Sequence, residues 1–341
     1  MLIHRAIRTI TASLWIALAA ACSQGRADGT VASFDASVLD SAIAAIADRA
    51  RPGQLGVAAR DVETGETWSF EGARRFPMQS VFKLPLGAFV LRAADHDEFS
   101  LTDTVRLRES DLSPPYSPIG AAFPGRFMYT VEELLVAAVG RSDNTAADVL
   151  MRFAGGPGMV TGWLTERGIR DLRIDRYERE FQLALNAMPP FQPTWARESV
   201  FLAALEAMPA EKRKEATLRY LEDPRDTSTP IGAVMFLEAL ARGDLLPPAT
   251  RDHLLRIATE TTTGARRLKA GIPEGATLAH KTGSARPDFG MNPAINDIGI
   301  LRLKDGRQIA IAVFLSASTL PYAEAEGLIA DVMRSVVRSL R

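Results

Sequence analysis

The stretch DIGILRLKDGRQIAIAVFLS, residues 297–316, decides the fold. Its two halves, 297–303 and 308–316, are rich in β-forming residues, and Asp305-Gly306 between them suits a tight hairpin turn. Behind this hairpin, 323–340 reads as an amphipathic helix. In front of it, Lys281-Thr282-Gly283-Ser284 is expected to begin as an edge strand. The other end of the chain has a matching character. Residues 35–50 place Val38, Leu39, Ile43 and Ile46 at helical spacing. Residues 55–70 then read as two short strands with a turn at Glu63, Thr64 and Gly65. Everything between is helical in pattern: 80–93, 130–139 (opened by Thr130 with Glu132 and Glu133 in its first turn), 145–153, 233–240 and 249–257. This order predicts an α+β fold in which both chain ends, 36–75 and 265–341, build one layer. An all-helical region, 76–264, is inserted into it.

Composition narrows the classes. The chain has 341 residues, 47% apolar and 24% charged, with a formal net charge of -1. Those values fit a globular protein and give no electrostatic reason to expect nucleic acid as a partner. Four His and one Cys show no metal-ligand spacing, so no metal is expected, and a disulfide within the chain is excluded. A monomer is expected. The N-terminus stands apart: His4, Arg5 and Arg8 precede an apolar run containing Leu14, Trp15, Ile16 and Leu18, followed by Ala19, Ala20 and Ala21. That is the order of a secretory signal peptide over 1–21, implying export to the periplasm. Leu18-Ala-Ala-Ala-Cys22 resembles a lipoprotein processing site, with the Leu one position further from the Cys than usual. Two outcomes therefore stand open, simple cleavage near Ala21 or a lipid on Cys22 that anchors the protein to a membrane. Residues 22–35 are small and polar and read as a linker.

Three segments carry chemistry. In Ser80-Val-Phe-Lys83 a helical turn brings the Lys beside the Ser, and a serine needs such a neighbour to become a nucleophile. By itself the segment equally describes a helix cap followed by a solvated Lys. In Ser142-Asp143-Asn144 a hydroxyl beside an amide can relay a proton and hold a substrate amide, or Asp143 or Asn144 can simply cap the next helix. In Lys281-Thr282-Gly283-Ser284 the Lys can attract a carboxylate, the Gly allows close backbone approach, and the following N–H can face an oxyanion.

In order and separation the three segments resemble the signature of the active-site serine penicillin-recognising enzymes. A fourth, Asp175-Arg-Tyr-Glu-Arg-Glu180, is similar to the omega loop of class A serine β-lactamases. The resemblance covers about 36–340 and implies an antiparallel five-stranded sheet flanked by helices beside the all-helical region. It implies hydrolysis of the β-lactam amide of small-molecule antibiotics, with no cofactor. Ser80 would be the nucleophile, Lys83 and Lys281 catalytic lysines, Ser142 the proton carrier, and Glu178 the base that activates the deacylating water. Tyr116, Asn144, Gln182, Thr282, Gly283 and Ser284 would line the substrate cleft, and Arg176 and Asp226 would close the omega loop. Arg267 would help bind the substrate carboxylate where Ile295 replaces an Arg of other members, or would be a solvated surface Arg.

The chain departs from that pattern in three places. Arg179 replaces the usual Pro after Glu178, and Gln182 replaces an Asn that helps hold the water. The third departure is an insertion of about 35 residues at 187–221, read as a helical hairpin built from 197–208 and 211–221. It either walls the cleft or packs on the outer surface. The alternatives to a β-lactamase are a D,D-peptidase, which lacks the Glu178 base, and a penicillin-binding sensor that is acylated and stays so.

Overall fold

The computed structural model describes residues 33–341. The signal segment 1–21 and Cys22 lie outside the described residues. The expected linker is cut short at its end, because Phe34 is buried and bridges to Leu340, while Asp35 accepts the Val38 N–H and caps the first helix.

Helix α1 (Ala36–Ala50) leads into the hairpin β1 (Gln54–Asp61) and β2 (Thr67–Phe70). Strand β3 (Phe76–Pro77) runs into one 3₁₀ turn, Gln79–Phe82, and then helix α2 (Lys83–Asp95). Strands β4 (Thr104–Arg106) and β5 (Met128–Thr130) flank the short α3 (Pro118–Ala122). Helices α4 (Val131–Gly140), α5 (Asn144–Phe153), α6 (Pro157–Glu166), α7 (Glu178–Leu185), α8 (Glu198–Glu206) and α9 (Ala210–Glu222) follow. After β6 (Thr227–Ser228) come α10 (Pro230–Arg242) and α11 (Pro248–Thr259). The chain closes with β7 (Thr277–Ser284), β8 (Asn292–Arg302), β9 (Gln308–Ser318) and α12 (Tyr322–Ser339).

The main sheet is antiparallel with order β2-β1-β9-β8-β7, so strands from both chain ends join side by side where β1 pairs β9, and β7 is an edge, as expected. Its alternation of side chains makes two cores. From β9, Ile309, Ile311, Val313 and Leu315 pack with Leu39, Ile43 and Ile46 of α1 and Leu328, Val332 and Val336 of α12. The intervening Ala310, Ala312 and Phe314 face the helical region and join Phe82, Leu84, Val234 and Leu237. The helical region is interrupted by two short ladders that the sequence pattern does not reveal, β3 with β6 and β4 with β5. Two or three residues are too few to show a period of two.

Local chemistry sets the helix ends near the site. The Thr130 hydroxyl accepts the Glu133 N–H at 3.1 Å, and the Glu133 carboxylate accepts the Thr130 N–H at 2.9 Å, closing a capping box on α4. Asp143 caps α5 by accepting the Ala146 N–H at 2.8 Å. Among the described residues no helix is long and apolar enough to cross a membrane.

Candidate active site

Ser80 does not open the helix directly, as its sequence suggests. It stands in the 3₁₀ turn, and Lys83 is the first residue of α2. The cause lies next to it, where Gln79 holds a φ of 50° and turns the chain sharply. Strand β7 presses on this turn. A Cβ at Gly283 would lie 2.2 Å from the Met78 carbonyl oxygen, so only glycine lets the strand approach. The two motifs, distant in sequence, thus meet backbone to backbone.

A cleft of about 600 Å³ opens over the turn. Ser80, Tyr116, Ser142, Asn144, Glu178 and Gln182 line it from the helical side, and Thr282, Ser284 and Arg267 from the sheet side. Lys83, Lys281 and Gly283 lie behind this lining. Lys83 is fully buried, and its Nζ donates to Asn144 Oδ1 at 2.5 Å and to the Ser142 carbonyl at 2.9 Å. Glu178 Oε2 is 3.3 Å from the same nitrogen. Both charges are out of water, so each needs the other; a buried ion left without its partner is strongly unfavourable. Asn144 also donates to the Pro114 carbonyl at 3.0 Å, which locks its amide in this orientation.

Lys281 is also fully buried and donates to Ser142 Oγ at 2.9 Å and to the Thr282 carbonyl at 3.0 Å. Burial, aided by the charge of Lys83 nearby, holds its ammonium well below the usual lysine range. The Ser142 hydroxyl therefore accepts from a lysine that gives up its proton more readily than a free one.

Glu178 begins α7, and its position is set by Asp148, four residues beyond Asn144 on α5. The Asp148 carboxylate accepts the Glu178 N–H at 2.6 Å and the Arg179 N–H at 3.0 Å, and Ser113 donates to it at 2.6 Å. Burial pushes the Asp148 carboxyl up to about 6, reinforced by the charge of Glu178. Gln182, one turn along α7, donates to Glu178 Oε1 at 2.8 Å. Arg179, in place of the usual Pro, donates to the Ser110 and Leu112 carbonyls at 2.9 and 3.1 Å and lies over the Phe191 ring. Arg176 Nε donates to Asp226 Oδ2 at 2.5 Å, so the expected pair does meet. Asp223, at the end of α9, adds a third charge at 3.3 Å.

Arg267 is not a solvated surface Arg. It is 3% exposed, donates to Ser284 Oγ at 2.7 Å, the Asn296 carbonyl at 2.7 Å and Tyr322 at 2.8 Å, and pairs with Glu326 at 3.1 Å. Ile295 faces the opposite core, beneath α1 and α12. The outer-surface alternative for the insertion is likewise overturned for α8, because Glu198, Phe201, Leu202 and Leu205 line the cleft. Trp195, Phe201 and Leu205 form a small core of their own. Arg213 of α9 pairs with Asp288 at 2.9 Å, tying the insertion to the β7–β8 loop.

Gln79, Asp148 and Tyr220 surround these groups and were not singled out from the sequence. A signal existed for two of them: Gln79 precedes the nucleophile candidate, and Asp148 shares a helical face with Asn144. Tyr220 had none.

Residues 38–340 match the model of the "Beta-lactamase enzyme family". The chain is 30% identical over 283 residues to the extended-spectrum β-lactamase PER-1 of Pseudomonas aeruginosa, covering 82% of this chain and 80% of that one. Among solved structures, a β-lactamase from Chitinophaga pinensis superposes with a TM-score of 0.71 at 32% identity, covering 87% of this chain and 97% of that one. An ancestral class A β-lactamase superposes with a TM-score of 0.71 at 32% identity, covering 88% and 99%.

Proposed function

Because the chain belongs to the beta-lactamase enzyme family, as a class A serine β-lactamase that hydrolyses the β-lactam amide bond, we propose a role for each group of its cleft. Ser80 is the nucleophile. Lys83, one helical turn from Ser80 and held by Asn144 and the Ser142 carbonyl, takes the serine's proton for acylation, which leaves Glu178 to act in deacylation. Backbone N–H groups of Ser80 and Ser284 stabilise the oxyanion. Ser142, supported by Lys281, passes a proton to the departing lactam nitrogen. Arg267 acts through the Ser284 hydroxyl it holds, and together with Lys281 and Thr282 it draws in the substrate carboxylate. Glu178 then activates the water that releases the product acid and frees Ser80.

The observation that carries this reading is the buried Glu178 carboxylate, 3.3 Å from Lys83 Nζ and in the same cleft as Ser80. A Glu178→Ala variant mixed with a chromogenic cephalosporin is expected to release about one equivalent of product and stop, with the acyl adduct on Ser80 visible by mass spectrometry. Steady turnover by that variant at the parent rate would overturn it. The signal segment and Cys22 support export, with the mature protein periplasmic and either free or lipid-anchored.

A further inference from the structure

We propose that Tyr220, supplied by the insertion, and Gln79 are positioning residues for deacylation, which hold the Glu178 carboxylate in place through Gln182. The proposal rests on the reading of Glu178 as the deacylating base. Gln182 is one methylene longer than the Asn it replaces and has one more rotatable bond to fix. Left free, its amide could turn away from Glu178. It is tied at two points. Its Nε2 donates to Glu178 Oε1 at 2.8 Å and to Gln79 Oε1 at 3.1 Å. With both amide hydrogens committed, the amide oxygen is the group left to face the cleft that Gln182 lines.

Gln79 needs its own anchor, and it finds one in the insertion. Its Nε2 donates to the Tyr220 hydroxyl oxygen at 2.6 Å. Gln79 is 1% and Tyr220 4% exposed, so water does not readily replace a lost link. Burial pushes the Tyr220 hydroxyl far above its usual value, so it stays a neutral phenol. Helix α9 carries Tyr220 on a fixed base: Ala216 and Thr217 are buried, and Thr217 donates to the Leu185 carbonyl of α7 at 3.4 Å. The chain Tyr220–Gln79–Gln182–Glu178 thus runs from the insertion to the base. The longer Gln and the inserted Tyr form one device, each explaining the other.

Tyr220→Phe keeps the ring and removes the hydroxyl. Stopped-flow kinetics with a chromogenic cephalosporin should show deacylation slowed about tenfold, the scale of one lost hydrogen bond to a buried group. Then kcat and KM fall together while kcat/KM holds, the thermal midpoint drops by only a few degrees, and an initial burst of about one equivalent appears. Gln79→Met should give the same split. The double variant should be no slower than Gln79→Met alone, since the two act in series. Deacylation at the parent rate in Tyr220→Phe, with Glu178→Ala stalled as an acyl-enzyme, overturns this proposal and leaves the base assignment standing. A fall in kcat/KM as large as that in kcat also overturns it, because it would mark a general loss of the site. Parent-rate deacylation in Glu178→Ala would instead overturn the base assignment, and this proposal with it.

Discussion

Lys281 combines two demands that oppose each other. Its charge is wanted to attract an anionic substrate, yet it is fully buried beside the charged Lys83. Burial, and after it the charge of Lys83, favour the neutral amine against the opposing pull of Asp297 and Glu178, so it loses its proton at lower pH than an exposed lysine. Substrate capture should therefore weaken as pH rises through this depressed value, giving kcat/KM an alkaline limb below the ordinary lysine range. Arginine stays charged throughout that range, so Lys281→Arg should move the limb to higher pH, whatever it costs in absolute rate. A pH profile of kcat/KM with an anionic cephalosporin checks this; a limb that does not move assigns the titration to another group. At this scale the sequence was legible wherever chemistry is carried by neighbours along the chain. Ser80 with Lys83, Ser142 with Asn144, and Lys281 with Gly283 could be read directly. Asp148 and Gln79 left only a positional hint beside Asn144 and Ser80, and their roles appear only where α7 and α9 dock against them.

The insertion shows what happens one scale up. Its helices α8 and α9 follow from apolar periodicity and from Pro189, Pro190, Pro193 and Pro209 around them. Periodicity gives a buried face but not the neighbour it is buried against, so the sequence left wall and outer surface equally open. In the structure α8 is wall, and one face both packs and borders: Phe201 and Leu205 pack on Trp195 and line the cleft. This core is separate from the two that flank the sheet. Removing the Phe201 ring, with 6% exposure, costs about 3–5 kcal/mol by the usual scale for such truncations. Because the cluster stands apart, that loss should be local. Phe201→Ala is expected to raise amide hydrogen exchange across 191–206 by orders of magnitude while leaving exchange in the main sheet unchanged. Equal acceleration in the sheet would show the insertion to be coupled to the rest.

At the scale of the whole molecule, the sheet layer and the helical region are distinguishable by sequence order but not by core. One hydrophobic cluster runs from Phe314 and Ala312 on β9, through Phe76 on β3, to Phe82 and Leu84 in the turn and helix that carry Ser80 and Lys83. Phe314 stacks on Phe76 with ring centroids 5.7 Å apart, and both are fully buried. A Cβ at Gly56 would lie 2.3 Å from the Phe76 ring, so β1 closes on the same contact. The cleft lies across this seam: Ser284 belongs to the sheet, Ser80 to the helical region, and Gly283 joins them. A protein built this way should lose its site and its sheet together. Phe314→Ala removes a buried ring at about 3–5 kcal/mol, and a chain of this size should lose roughly 2–4 °C in Tm for each of those kcal/mol. Unlike Phe201→Ala, the effect should be global. Loss of activity and loss of far-UV circular dichroism should follow one shared transition, displaced to lower temperature by the substitution. If activity vanished tens of degrees before the sheet signal, the helical region would be unfolding by itself. The seam at Phe314 would then be a contact between two independent units rather than the centre of one.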